Sequence, residues 1–187
     1  KNTREIFLSD SQNNFPIPAC SSRRDNLLEN FKPECIEFYR DLGDTLKHRF
    51  SGFKPILKFP VSSNDIKIAP VCIYEFPIES PPYGLYVAGT DPYRQGKSEY
   101  SSSLGSIFIY KRMHDLTGEK YQDMIVASYC ARPDKKETWE EQARLLIKFY
   151  NARTLCENDD ISFIEYMKAK GDARYLEKQP EWLKEIV

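Results

Sequence analysis

Tyr86-Val87-Ala88-Gly89-Thr90-Asp91-Pro92-Tyr93-Arg94 reads as a strand that stops on a carboxylate. Val87 and Gly89 alternate with Tyr86, Ala88 and Thr90 at the period of a β-strand. Pro92 has no backbone donor and restricts the residue before it, so regular pairing should end near Asp91. A carboxylate at the end of a rigid strand is well placed to hold a divalent ion. A second strand-like run, Arg153-Thr154-Leu155-Cys156, is followed by Glu157-Asn158-Asp159-Asp160. Either acid alone reads more readily as a turn residue or a helix cap. Their common placement after apolar strands points instead to a divalent-metal site that joins Asp91 to the acidic 157–160 run.

Outward from these runs, the order of elements is strand, strand, strand, helix, strand, helix. Ser106–Arg112 is the second strand, a turn region containing Asp115 to Gly118 follows, and Asp123–Tyr129 is the third. Short connections predict an antiparallel meander. Thr138-Trp139-Glu140-Glu141 has the spacing of a capping box, and Trp139, Ala143, Leu146 and Tyr150 share one helical face. That helix should cross back and set Leu155-Cys156 parallel to the first strand. A second helix is predicted over 161–170, stopped by Gly171, with a short strand over 173–176. The expected fold class is therefore α/β, a mixed sheet flanked by helices.

The first ~60 residues read differently. Ser9 to Ser22 is polar and interrupted by proline, as in an extended linker. Leu27, Leu28, Phe31, Ile36, Phe38, Tyr39, Leu42 and Leu46 fit a helical segment broken near Pro33 and Gly43. Gly52, Pro55 and Pro60 mark a boundary, giving a linker and helical segment over 1–60 and a main domain over 61–187. Ile66 to Phe76, marked by Pro70, reads as an edge or entry strand.

Composition bounds the function. The chain has 187 residues, 41% hydrophobic and 29% charged, enough for one good core. Its net charge of −1 gives no overall basic field to attract a polyanion. No apolar run approaches a membrane span, and no signal-peptide pattern opens the sequence. Five scattered cysteines without a CxxC pair read as reduced thiols in a cytosol-like compartment. Gly96-Lys97-Ser98 lacks the upstream glycine of a phosphate-binding loop, since Asp91 occupies that position. His48 and His114 stand apart in surface or capping contexts, leaving no good base for a nucleophilic triad. Lys135, Lys136, Arg144 and Lys148 fit the solvated face of the long helix.

Gly89-Thr90-Asp91-Pro92, Val126-Ala127-Ser128-Tyr129, Arg132-Pro133, Tyr150-Asn151-Ala152 and Glu157-Asn158, in that order, resemble the C-terminal nuclease domain of tailed-phage terminase large subunits, a ribonuclease H-like family. The resemblance covers residues 61–187. It implies a metal-dependent endonuclease that cuts double-stranded concatemeric DNA during genome packaging, using Mg²⁺ or Mn²⁺ in a two-metal site. Asp91 and Glu157 match the family's first- and fourth-strand acids, as catalytic and metal-binding residues. Arg94 and Lys97 are the corresponding candidates for DNA phosphate contact. The family's third acid lies on a helix downstream of the fifth strand and is not found in this chain. Asp172 comes ahead of that strand, and Asp159 and Asp160 belong to the Glu157 loop, so the domain reads as truncated at its C-terminus. Further implied are an upstream ATPase motor domain, the small terminase subunit and the portal protein as partners, and the host bacterial cytoplasm as the location. The competing readings are another ribonuclease H-like nuclease, of transposase or resolvase type, and a non-catalytic docking module for packaging partners.

Overall fold

The computed structural model describes residues 32–62, 65–93, 103–112, 123–157 and 161–178. Among these residues the core is a seven-stranded mixed sheet with two α-helices. The strands are β1 (Glu34–Arg40), β2 (Leu46–Phe50), β3 (Val71–Ile73), β4 (Tyr86–Asp91), β5 (Gly105–Lys111), β6 (Met124–Ala131) and β7 (Arg153–Cys156). They lie in the order β2-β1-β3-β6-β5-β4-β7. All neighbours are antiparallel except β4 and β7, which run parallel. The helices are α1 (Lys136–Tyr150) and α2 (Ser162–Ala169).

The meander β4-β5-β6, the crossover through α1 and the parallel return of β7 agree with the topology expected from sequence. Alternation sorts the side chains. Tyr86, Ala88 and Thr90 of β4, Ile107 and Ile109 of β5, and Ala127, Tyr129 and Ala131 of β6 are buried. Trp139 stacks on Tyr129 at a centroid distance of 6.2 Å, and Tyr150 meets Tyr86 edge-on at 5.0 Å. This face of the sheet therefore carries α1. Val87, Gly89 and Asp91, alternate in β4, fall on the opposite face, as do Leu155 and Glu157 beside them.

Four local readings are corrected. Residues 34–50 form a hairpin, not a helical segment. Ile36 and Phe38 are buried while Glu37 and Tyr39 are not, a period of two. The reversal is built by Asp41, whose Oδ1 accepts from the N–H groups of Gly43 (3.0 Å) and Thr45 (2.9 Å), with Asp44 at φ 59°. This hairpin joins the same sheet as the later strands. Leu27, Leu28, Phe31 and the 9–22 segment lie outside the described residues. β3, expected at an edge, is an interior strand between β1 and β6. Pro70 directly precedes it, where a missing donor does no harm. The helix α1 begins before Thr138, at Lys136, and no side chain caps it. Finally, 173–175 is a 3₁₀ turn, and only Leu176 pairs with the sheet, through a parallel bridge to Thr154.

The helix ends follow their residues. Asn151 closes α1 in the left-handed region at φ 49°, its N–H bonded to the carbonyls of Ile147 and Lys148. Gly171, at φ 75°, turns the chain after α2.

Candidate metal centre

Two strand ends create the site. In the β4/β7 register Thr90 is opposite Cys156, so Asp91 and Glu157 are the next positions on the two strands. The N–H of Glu157 donates to the carbonyl of Thr90 at 2.9 Å, carrying the parallel ladder one step past the end of β7. Residues paired across a parallel ladder point to the same face, so both carboxylates leave the sheet on the face opposite α1. Both are exposed, and both line one open cleft of about 370 Å³.

The residues after Asp91 fix where its strand ends. Pro92 and Tyr93 are buried, and the Tyr93 hydroxyl donates to the carbonyl of Pro133 at 3.3 Å. The guanidinium of Arg132 lies 4.7 Å from the centre of the Tyr93 ring and also donates to the Ser103 carbonyl at 3.0 Å and hydroxyl at 2.7 Å. Burial pushes the Tyr93 phenol up to about 12, so it stays a neutral donor. Arg132 and Pro133 thus anchor Tyr93, two residues after Asp91. Beside it, Asp91 is paired with Ser106 of β5, and the Thr90 hydroxyl donates to the Ser106 carbonyl at 3.2 Å.

The cleft floor mixes apolar and flat surface. Phe108 and Leu155 line it, Leu155 being 59% exposed, and a Cβ placed on Gly89 would meet nothing within 4 Å. Alternation along β5 and β7 identifies Phe108 and Leu155 once the face of Asp91 is known. The anchoring of Tyr93 by Arg132 has no signal at that level, because it joins three separated segments.

The remaining sequence candidates fall elsewhere. Arg94, Lys97, Asp159, Asp160 and His114 lie outside the described residues. Asp172 is buried, and its carboxylate is paired with Arg144 and, at 3.1 Å, with Lys148. It serves to hold α1 against the turn after α2. Arg144, expected on a solvated helix face, is only 2% exposed and also binds Glu141 at 2.6 Å. Tyr150-Asn151-Ala152 has a framework role: the Tyr150 hydroxyl donates to the Glu75 carbonyl, and the Asn151 amide donates to that of Pro81 at 2.9 Å. His48 packs among the rings of Phe38, Phe76 and Phe149. Cys156 alternates with Leu155 and Glu157 and packs partly against the core.

Two carboxylates opening on water suit a hard oxygen-ligated cation, which keeps several waters and takes further ligands from a phosphate. Among the described residues no group of three or more His, Cys, Asp or Glu side chains is arranged to hold a metal ion. Asp91 and Glu157 therefore fit as a partial ligand set. No helix among the described residues is long and apolar enough to cross a membrane. No protein-family model, curated protein or solved structure matches the chain.

Proposed function

We propose that the chain is the nuclease part of a phage DNA-packaging terminase, hydrolysing phosphodiesters of double-stranded DNA with Mg²⁺ or Mn²⁺. The observation that carries this reading is the register of β4 and β7, which sets Asp91 and Glu157 side by side on one cleft. The ordered motifs supply the family, and through it the proposed motor, small-subunit and portal partners and the bacterial cytoplasm.

In this reading Asp91, at the end of β4 just before the anchored Tyr93, and Glu157, just past β7, would be the residues that hold the divalent metal. Divalent metal held there would activate a water for attack on the phosphodiester and stabilise the leaving 3′-oxygen. The chain's own contribution is position. Both carboxylates sit on paired backbone, so little ordering remains to be done when the charge arrives. Gly89 leaves room for a phosphodiester to approach the sheet, and Phe108 and Leu155 offer apolar contact to its sugars. Such contacts carry little base information, so cleavage is expected to tolerate sequence.

Mn²⁺ titration followed by thermal unfolding tests the site. An ion at ten times its Kd stabilises the fold by about 1.4 kcal/mol, a rise of roughly 3–6 °C for a chain of this size. Asp91→Asn should abolish that rise and leave the metal-free melting point within a few degrees, since the side chain is exposed. Nicking of supercoiled plasmid should depend on Mn²⁺ and be absent in Asp91→Asn and Glu157→Gln. Gly89→Leu should block nicking while keeping metal binding. A rise that persists in Asp91→Asn would overturn the site. Metal binding without any nicking would favour the docking-module reading.

A further inference from the structure

Away from the cleft, the neighbouring strands β1 and β3 bring two thiols face to face. Cys35 and Cys72 are paired residues in the antiparallel β1/β3 register. Which kind of pair they form follows from the backbone. The N–H of Ser51 donates to the Cys35 carbonyl at 2.9 Å, so the polar groups of Cys35 face β2. The N–H of Tyr74 donates to the Val126 carbonyl at 2.8 Å, so Tyr74, and Cys72 two residues before it, direct theirs at β6. Cys35 and Cys72 therefore occupy a non-hydrogen-bonded pair, where Cα atoms approach to about 4.5 Å and side chains are closest. A disulfide spans Cα separations of ~4.4–6.8 Å. Cys130 stands diagonally, since Cys72 is opposite Ser128, and diagonal neighbours lie ~7–8 Å apart.

We propose that Cys35 and Cys72 are a redox pair that peroxide converts to a cross-strand disulfide, tying the β1–β2 hairpin to the body of the sheet. Cys35 is half-buried and Cys72 buried, so peroxide reaches Cys35 first. The Cys35 sulfur attacks one peroxide oxygen; the S–O bond forms, the O–O bond breaks, and the departing hydroxide is protonated to water. The Cys72 sulfur then attacks the Cys35 sulfur; the S–S bond forms, the S–O bond breaks, and a second water leaves with the Cys72 proton. Two thiols have lost two electrons and one peroxide has become two waters. Burial raises both thiols above their ordinary value, so the first step is slow at neutral pH and faster in mild alkali. Among the described strands the hairpin meets the rest of the sheet through the β1/β3 pairing, so the new bond closes a long loop at that junction.

The test treats the full chain with millimolar hydrogen peroxide at mildly alkaline pH, followed by mass spectrometry and thermal unfolding. Expected are the loss of two hydrogens from the monomer, a Cys35–Cys72 crosslinked peptide, and a melting point higher by roughly 5–10 °C, all reversed by dithiothreitol. Cys130→Ser should keep the bridge, and Cys72→Ser should lose it and accumulate oxygen on Cys35. If Cys72→Ser fails to fold, Cys35→Ser at the more open position replaces it. A bridge mapped to Cys130, crosslinked dimers, or oxygen added at Cys35 in the unsubstituted chain without a bridge would overturn the proposal. Each readout is independent of metal and DNA, so failure here leaves the nuclease reading untouched.

Discussion

At the scale of single residues, Gly105, which opens β5, is the most tightly enclosed glycine among the described residues. A Cβ there would lie 2.5 Å from Cε2 of Trp139 and 2.7 Å from Cδ1 of Tyr93. Neither ring can yield easily. Trp139 is fully buried, stacked on Tyr129 and edge-on to Phe163, and Tyr93 is tied to Pro133 and Arg132. Gly105→Ala should destabilise the chain by about 2–3 kcal/mol through overpacking, lowering the melting point by roughly 5–10 °C. Gly89, two residues before Asp91, faces open space, and Gly89→Ala should melt within a few degrees of the unsubstituted chain. Calorimetry of the two alanine variants separates a glycine required by packing from one that keeps the cleft floor flat.

At the scale of elements, α1 is fastened to the sheet by more than its apolar stripe. β3 is short and ends its pairing with β1 at Ile36, so the backbone of Phe38 has lost its strand partner on that side. The side chain of Gln142 takes over: its amide nitrogen donates to the Phe38 carbonyl and its oxygen accepts from the Phe38 N–H, each at 2.8 Å. One helical side chain thus continues a strand edge and sets the lateral position of α1. Gln142→Leu keeps helix propensity and bulk but leaves both backbone groups without this partner. A cost of about 1–3 kcal/mol is expected, read as a lower urea midpoint with an unchanged slope.

At the scale of the whole molecule, a charge cluster joins α1, α2 and the turn after α2. Arg144 binds Glu141 and Asp172, Lys148 binds Asp172, and the Tyr166 hydroxyl donates to Glu141 at 2.6 Å. Burial pushes the Glu141 carboxyl up, but the hydrogen bonds from Arg144 and Tyr166, with the Arg144 charge, outweigh it and hold the carboxyl at about 2 instead of the ordinary 4.5. On acidification the unfolded chain takes up this proton first. The stability contributed by Glu141 is therefore complete above pH 4.5 and is lost as pH falls from there toward 2. Glu141→Gln should lower stability at pH 7 by about 1–3 kcal/mol, discounted because the carboxylate is partly exposed. The two melting curves should converge near the acid limit. A difference that is constant across pH would assign the effect to packing.

What the sequence determined alone is what local periodicity can encode. The bounds of β4 and β7 and the buried face of α1 follow from alternation, from a 3.6-residue stripe and from Pro92, each confined to a few neighbouring residues. The meander and the parallel return follow from short connections and from the handedness of crossovers. The hairpin at 34–50 escapes a local reading because scattered apolar residues fit a helix as easily as two strands, and the choice rests on burial of Ile36 and Phe38, which depends on distant elements. β3 is interior because β1 pairs with it from earlier in the chain. The same limit divides the acids. As acidic letters Asp91, Glu157 and Asp172 look alike, yet the first two are exposed at paired strand ends while Asp172 is buried against Arg144 and Lys148. Burial is made by residues remote in sequence, so only the tertiary structure decides which carboxylates line the cleft.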